Sequence, residues 1–114
     1  MDIYLVKSTK WSKHNGYTTW WGPNSSGYAS QIKYAGVYTE EEAKRLERVH
    51  GKDVCIAVLF DQELVQLGIQ QMESEINLEQ EDIKRYEAYI VSGRRRIEQK
   101  QQFLEAYKEK YVEQ

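Results

Sequence analysis

The chain has 114 residues, is 40% hydrophobic and 30% charged, and carries a net charge of −2. That length allows one small domain or a compact head with a helical appendage, and the near balance of charge excludes a general electrostatic pull towards nucleic-acid polymers or membranes. The lone Cys55 excludes an internal disulfide, no leading apolar run has the form of a signal peptide, and no segment reaches the roughly 18–20 apolar residues that cross a bilayer, so a cytoplasmic location is expected.

From the N-terminus, the run from Ile3 to Lys13 alternates and is followed by Asn15-Gly16. Asn-Gly between alternating segments predicts a β-hairpin, because both central positions of a type I′ turn need positive φ. Pairing outward from that turn sets Trp11 opposite Trp20 and Lys10 opposite Trp21. Gly22-Pro23-Asn24-Ser25-Ser26-Gly27 is a loop by composition, with free backbone amides and small hydroxyls. Asn24-Ser25-Ser26 matches a glycosylation sequon, which without secretion is a coincidence.

Between Tyr28 and Tyr38 the pattern is mixed. Ile32, Tyr34 and Val37 fit a strand broken at Gly36, and Ala29–Ala35 fits a helical turn. A helix over 40–50 is then predicted. Thr39 and Glu42 form a capping box, Glu40 and Glu41 suit the positive end of the helix dipole, and Ala43, Leu46 and Val49 supply a buried stripe. Gly51 stops it. Val54–Phe60 is nearly all apolar and reads as a central strand covered on both faces.

Asp61 can cap a final helix. From there Glu, Gln, Lys, Arg and Leu dominate and no proline occurs. Ile69, Ile76, Ile83, Ile90, Ile97, Leu104 and Tyr111 stand seven residues apart in one register, which describes a helical seam that needs a partner. A continuous helix of about 50 residues would span on the order of 75 Å. Asn77 and Ser92-Gly93 are the two places where it could break, and a hairpin folded at Ser92-Gly93 is the structural rival. With the isoleucines at heptad position a, position d holds Met72, Glu79, Tyr86, Gly93, Lys100 and Tyr107. That is a poor two-stranded zipper, so packing in a bundle or against other subunits is expected, and with it a homo-oligomer. The fold class is thus α+β: residues 1–61 form an aromatic-rich antiparallel β-sheet head with one short helix, and residues 62–114 a long helical region for oligomerisation.

Charge is uneven along this plan. Residues 1–39 carry Lys7, Lys10, Lys13 and Lys33 against Asp2 alone, whereas residues 62–114 are net acidic. Two clusters could bind a ligand. In the head, Trp11, Tyr17, Trp20, Trp21, Tyr28, Tyr34 and Tyr38 can make a small core, yet adjacent strand residues face opposite sides. At least one of Trp20 and Trp21 must therefore be exposed or cover a second surface. Tyr17, Trp21 and Tyr28 beside Lys10 would form a stacking platform for a planar ligand. In the helical region, Arg94, Arg95 and Arg96 are either a solvated face or a phosphate clamp, extended by Lys84 and Arg85. His14 and His50, with Cys55, lack the spacing of a metal site, and no nucleophile–base pair stands out, so neither cofactor nor enzymatic activity is expected.

Trp20-Trp21-Gly22-Pro23, Gly27-Tyr28 and Ala35-Gly36-x-Tyr38-Thr39-Glu40-Glu41-Glu42-Ala43 resemble a module of small bacteriophage proteins. A basic head of sheet and short helix followed by long helices is also similar in plan to the phage anti-Thoeris sponge proteins. That resemblance implies a phage-encoded protein in the cytoplasm of an infected bacterium, which sequesters a small anionic, cyclic nucleotide signal of host antiviral defence without cleaving it. The alternative is a protein-interaction factor whose helical region docks on a host or phage protein.

Overall fold

The computed structural model describes residues 2–112 and has the α+β architecture expected from the sequence. Met1, Glu113 and Gln114, which the predicted head and helix bounds include, lie outside the described residues. Contacts divide the chain into a unit that ends at Ser74 and one that begins at Glu75.

In the first unit, β1 (Ile3–Ser8) is the hub of a five-stranded antiparallel sheet. One edge pairs along Tyr4–Ser8 with β5 (Cys55–Leu59). The other edge is shared: β2 (Thr19–Trp21) pairs at Lys7 and Ser8, and β4 (Tyr38–Thr39) at Ile3 and Tyr4. The short β3 (Tyr28–Ala29) extends β2. Adjacent residues Leu5 and Val6 are both buried, so it is β1 that is covered on both faces. The expectation for Val54–Phe60 is corrected accordingly. β5 pairs with β1 alone and its middle residues are half-buried, because an apolar run fits an edge strand under partial cover as well as a central one.

Alternation across the pleat builds two cores. On one face Val6, Trp21, Tyr38 and Cys55 pack beneath Ala43 of α2 (Glu40–His50). On the other, Leu5, Trp20, Ile32 and Ala35 pack with Val58, Phe60 and Leu64. Trp20 and Trp21 are thus both buried, one on each face, which meets the requirement that one of them cover a second surface. Each fully buried large side chain contributes about 1.5–3 kcal/mol, so this small head depends heavily on its tryptophans.

The predicted hairpin does not form. Ser8 ends β1 and caps α1 (Thr9–Asn15), its Oγ accepting the Trp11 N–H at 3.0 Å. Asn15-Gly16 closes that helix instead of a turn: Gly16 takes φ 78° and its N–H donates to Ser12 O at 3.0 Å. Trp11 therefore stands on a helix and Lys7, not Trp11, is the cross-strand partner of Trp20. The mixed stretch after Tyr28 becomes β3, a 3₁₀ turn over Ile32–Tyr34, and β4.

Helix α2 begins as predicted, Thr39 Oγ1 accepting the Glu42 N–H at 3.1 Å, and ends at Gly51. Val49, placed in its buried stripe from the sequence, is 71% exposed. At 100° per residue Ala43 and His50 share a line that Val49 turns away from, and the His50 ring meets Trp21 at 5.3 Å. Asp61 caps α3 (Gln62–Tyr111), its Oδ1 accepting the Leu64 N–H at 3.1 Å. Gly68 is buried against Ile32, where an added Cβ would stand 3.3 Å from a methyl group, and Gln71 Oε1 accepts the Ile32 N–H at 2.9 Å. α3 is one helix of 50 residues with Asn77 and Ser92-Gly93 inside it, so the hairpin alternative is not adopted. The glycine penalty of about 1 kcal/mol is outweighed by the strong helix formers around it.

Candidate ligand-binding surface on the head

Helix α1 lies across one end of the sheet. Thr9 N–H donates to Val54 O at 3.0 Å and its hydroxyl to Lys52 O at 2.7 Å, while Ser12 Oγ accepts the Thr19 N–H at 2.8 Å. The two turns of this seven-residue helix are thereby tied to the chain just before β5 and to β2, and Lys10, Lys13 and His14 stand exposed. Trp11 is half-buried at the centre. The His14 ring meets it edge-on at 5.3 Å, the Tyr28 ring at 6.1 Å, and Lys10 Nζ lies 5.6 Å from its centroid.

Two open hollows adjoin at Lys13. One, of about 450 Å³, is lined by Lys10, Trp11, Lys13 and His14. The other, of about 510 Å³, lies between Lys7, Lys13 and Tyr17. Tyr17 and Tyr28 are 57% and 58% exposed, so their faces remain accessible. The arrangement offers aromatic faces ringed by ammonium groups, which suits a planar anion.

Of the residues singled out from the sequence, Lys10, Tyr17 and Tyr28 fall on this surface. Trp21 does not: it is buried in the core against His50 and presents no free face, a correction that follows from its place on an inward-facing strand position. Arg94, Arg95 and Arg96 stand exposed on the second unit, and the Arg96 guanidinium lies 5.8 Å from the Tyr89 ring. Trp11, Lys13 and His14 were missed because the hairpin reading assigned them to strand positions. A helical reading from the Ser8 cap would have grouped them, since Lys10, Trp11, Lys13 and His14 share one side at spacings of three and four.

Three amides of the Gly22–Gly27 loop are already engaged within the fold. Gly22 N–H donates to Gly27 O at 2.8 Å, Ser26 N–H to Pro23 O at 3.0 Å and Ser25 N–H to the Tyr38 hydroxyl at 3.0 Å. Cys55 is fully buried, and burial pushes its thiol above the ordinary range, so it is an inert core residue rather than a nucleophile. Among the described residues no three His, Cys, Asp or Glu side chains converge on a metal position. Among the described residues no helix is long and apolar enough to cross a membrane. Comparison with protein-family models, with curated proteins and with solved structures gives no match.

Proposed function

We propose that the protein is a non-enzymatic binding protein whose head captures a small planar anion of the nucleotide class on the surface around α1. The observation that carries this reading is Lys10 and Lys13 beside the half-buried Trp11 ring, which the exposed Tyr28 ring adjoins, with Lys7 and Lys13 beside the exposed Tyr17. A base would stack on Trp11 or a tyrosine, at about 1–3 kcal/mol per stacked base, and the lysines would neutralise its phosphates. The similarity in plan to phage anti-Thoeris sponge proteins supports sequestration, rather than conversion, of a nucleotide signal of host defence.

Calorimetry against a panel of cyclic nucleotides and ADP-ribose isomers tests the proposal. Binding tighter than millimolar, lost in Trp11→Ala and weakened in Lys13→Glu, is expected. Chromatography of the ligand recovered after denaturation should return it intact. Absence of binding across the panel removes the reading. A second reading rests on a different observation. The apolar seam of α3 is uncovered, which favours that helix as a protein-docking element.

A further inference from the structure

On the second unit, Ile76, Ile83, Ile90, Ile97, Leu104 and Tyr111 are between 48% and 60% exposed, in one line down α3. With these at position a of a heptad, the charges that border the line segregate by sign. Before Ile90 the bordering e and g positions carry Glu75, Asp82 and Glu87; after it they carry Arg94, Arg96, Lys108 and Lys110. Position d repeats the division, with Glu79 in the first half and Lys100 in the second. Outward positions do not, for Glu81 stands with Lys84 before Ile90 and Arg95 with Glu98 after it. Sign therefore follows position along the helix only where a partner would lie.

We infer that α3 pairs in antiparallel orientation with the α3 of a second copy of the chain. The inference rests on the reading of α3 as a docking element and adds the partner and its direction. Charged e and g residues set partner choice and orientation in paired helices. Folding the sequence back about Ile90 sets Glu87 against the partner's Arg94, Asp82 against the partner's Arg96 and Glu79 against the partner's Lys100. The same operation brings Ile83 to the partner's Ile97 and Ile76 to the partner's Leu104, so apolar meets apolar. A parallel pair in register would instead put Asp82 beside the partner's Glu87, and Glu79 on its own copy. The polar d positions that make a poor parallel zipper thus become complementary. A foreign helix would require no such match of one half of this chain to the other. Asp82 pairs with Arg85, and Lys108 lies 4.0 Å from Glu105, along the same helix; exposed pairs of this kind are weak and readily exchanged.

Light scattering and a single spin label on the full chain test this. In a Cys55→Ala background, Gln102→Cys places the label at an outward position. Antiparallel pairs separate the two labels by roughly 35–40 Å along the axis, whereas a parallel pair in register keeps them within about 20 Å. Expected are a mass twice that of one chain, the long distance, and a dissociation constant that rises about tenfold between roughly 0.05 M and 0.5 M salt. Arg94→Glu with Arg96→Glu should weaken the dimer at least about tenfold with helicity retained, and mixing with Asp82→Lys/Glu87→Lys should restore a heterodimer. A monomer at every concentration overturns both the inference and the docking reading. A dimer with the short label distance, or one tightened by salt, overturns the antiparallel arrangement alone. Neither result touches ligand capture by the head.

Discussion

The hydroxyl of Tyr38 donates to the carbonyl of Gly22 and accepts the Ser25 N–H at 3.0 Å, so one phenol spans the loop that follows β2. Tyr38 is 5% exposed, and its bond to Gly22 is buried. Tyr38→Phe keeps the ring in the core and leaves a carbonyl and an amide without their partner. We expect a loss of about 1–3 kcal/mol, read as a lower urea midpoint with an unchanged slope. An unaltered midpoint would show that the loop holds itself.

The same loop is gripped from the other side. Gly36 N–H donates to Trp21 O at 2.8 Å, and a Cβ on Gly36 would fall 2.5 Å from Gly22 O and 2.8 Å from the Pro23 Cα. Both obstacles are backbone, which cannot rotate out of the way. Gly36→Ala should cost about 1–3 kcal/mol through overpacking and displace β2 from β4. Thermal unfolding followed by tryptophan fluorescence measures it. Gly93→Ala is the control: the added methyl meets only the end of the Arg96 side chain, at 3.5 Å, and should raise stability slightly.

How much of this was legible depended on whether a local signal has one meaning. Thr39 with Glu42 and Asp61 before Leu64 were readable because a cap followed by an apolar-periodic run has few other uses. The unbroken register from Ile69 to Tyr111 likewise outweighed Gly93 and yielded one helix. Asn15-Gly16 was misread because a glycine at positive φ serves a helix C-cap as well as a hairpin turn. What decided between them was Ser8, whose hydroxyl caps the helix and withdraws Thr9 and Lys10 from the strand. That single error carried Trp11, Lys13 and His14 away from the surface they share. The aromatic and basic character of the head was visible in composition, but which rings are core and which are accessible required the sheet. Trp21 and Tyr28 are cross-strand partners, yet Trp21 is buried beneath α2 and Tyr28 lies open at the edge.

Two tryptophans should therefore part company on truncation. Trp21 is 9% exposed and packs with Val6, Tyr38 and Cys55, so Trp21→Ala should cost about 3–5 kcal/mol by opening a cavity. Trp11 is half-buried among His14 and Tyr28, and Trp11→Ala should cost about 1 kcal/mol, leaving the sheet intact. Acrylamide quenching reports the same difference in the native protein: removal of Trp11 should delete most of the quenchable emission. If Trp11→Ala unfolds the head, Trp11 is a core residue and the surface around α1 loses its centre.

Cys55 supplies a pH dependence with a definite sign. It is fully buried, its Sγ lies 3.6 Å from Leu46 O, and burial, with a smaller effect from the Glu47 carboxylate, pushes its thiol above the ordinary range. In the unfolded chain the thiol ionises near about pH 8.5, while in the folded chain it stays protonated to higher pH. The unfolded state therefore releases a proton first as pH rises. The contribution to stability is complete below about pH 8.5 and is lost as pH climbs towards the folded value. Urea unfolding at pH 7 and at pH 9.5 should show a larger fall for the wild type than for Cys55→Ala, which lacks the titrating group but keeps every lysine and tyrosine. Equal falls in the two proteins would mean that the thiol is reached by water in the native state. Modification by a thiol reagent at neutral pH distinguishes the same alternatives kinetically. It should proceed only as fast as the head opens, and a rate independent of added urea would contradict the burial of Cys55.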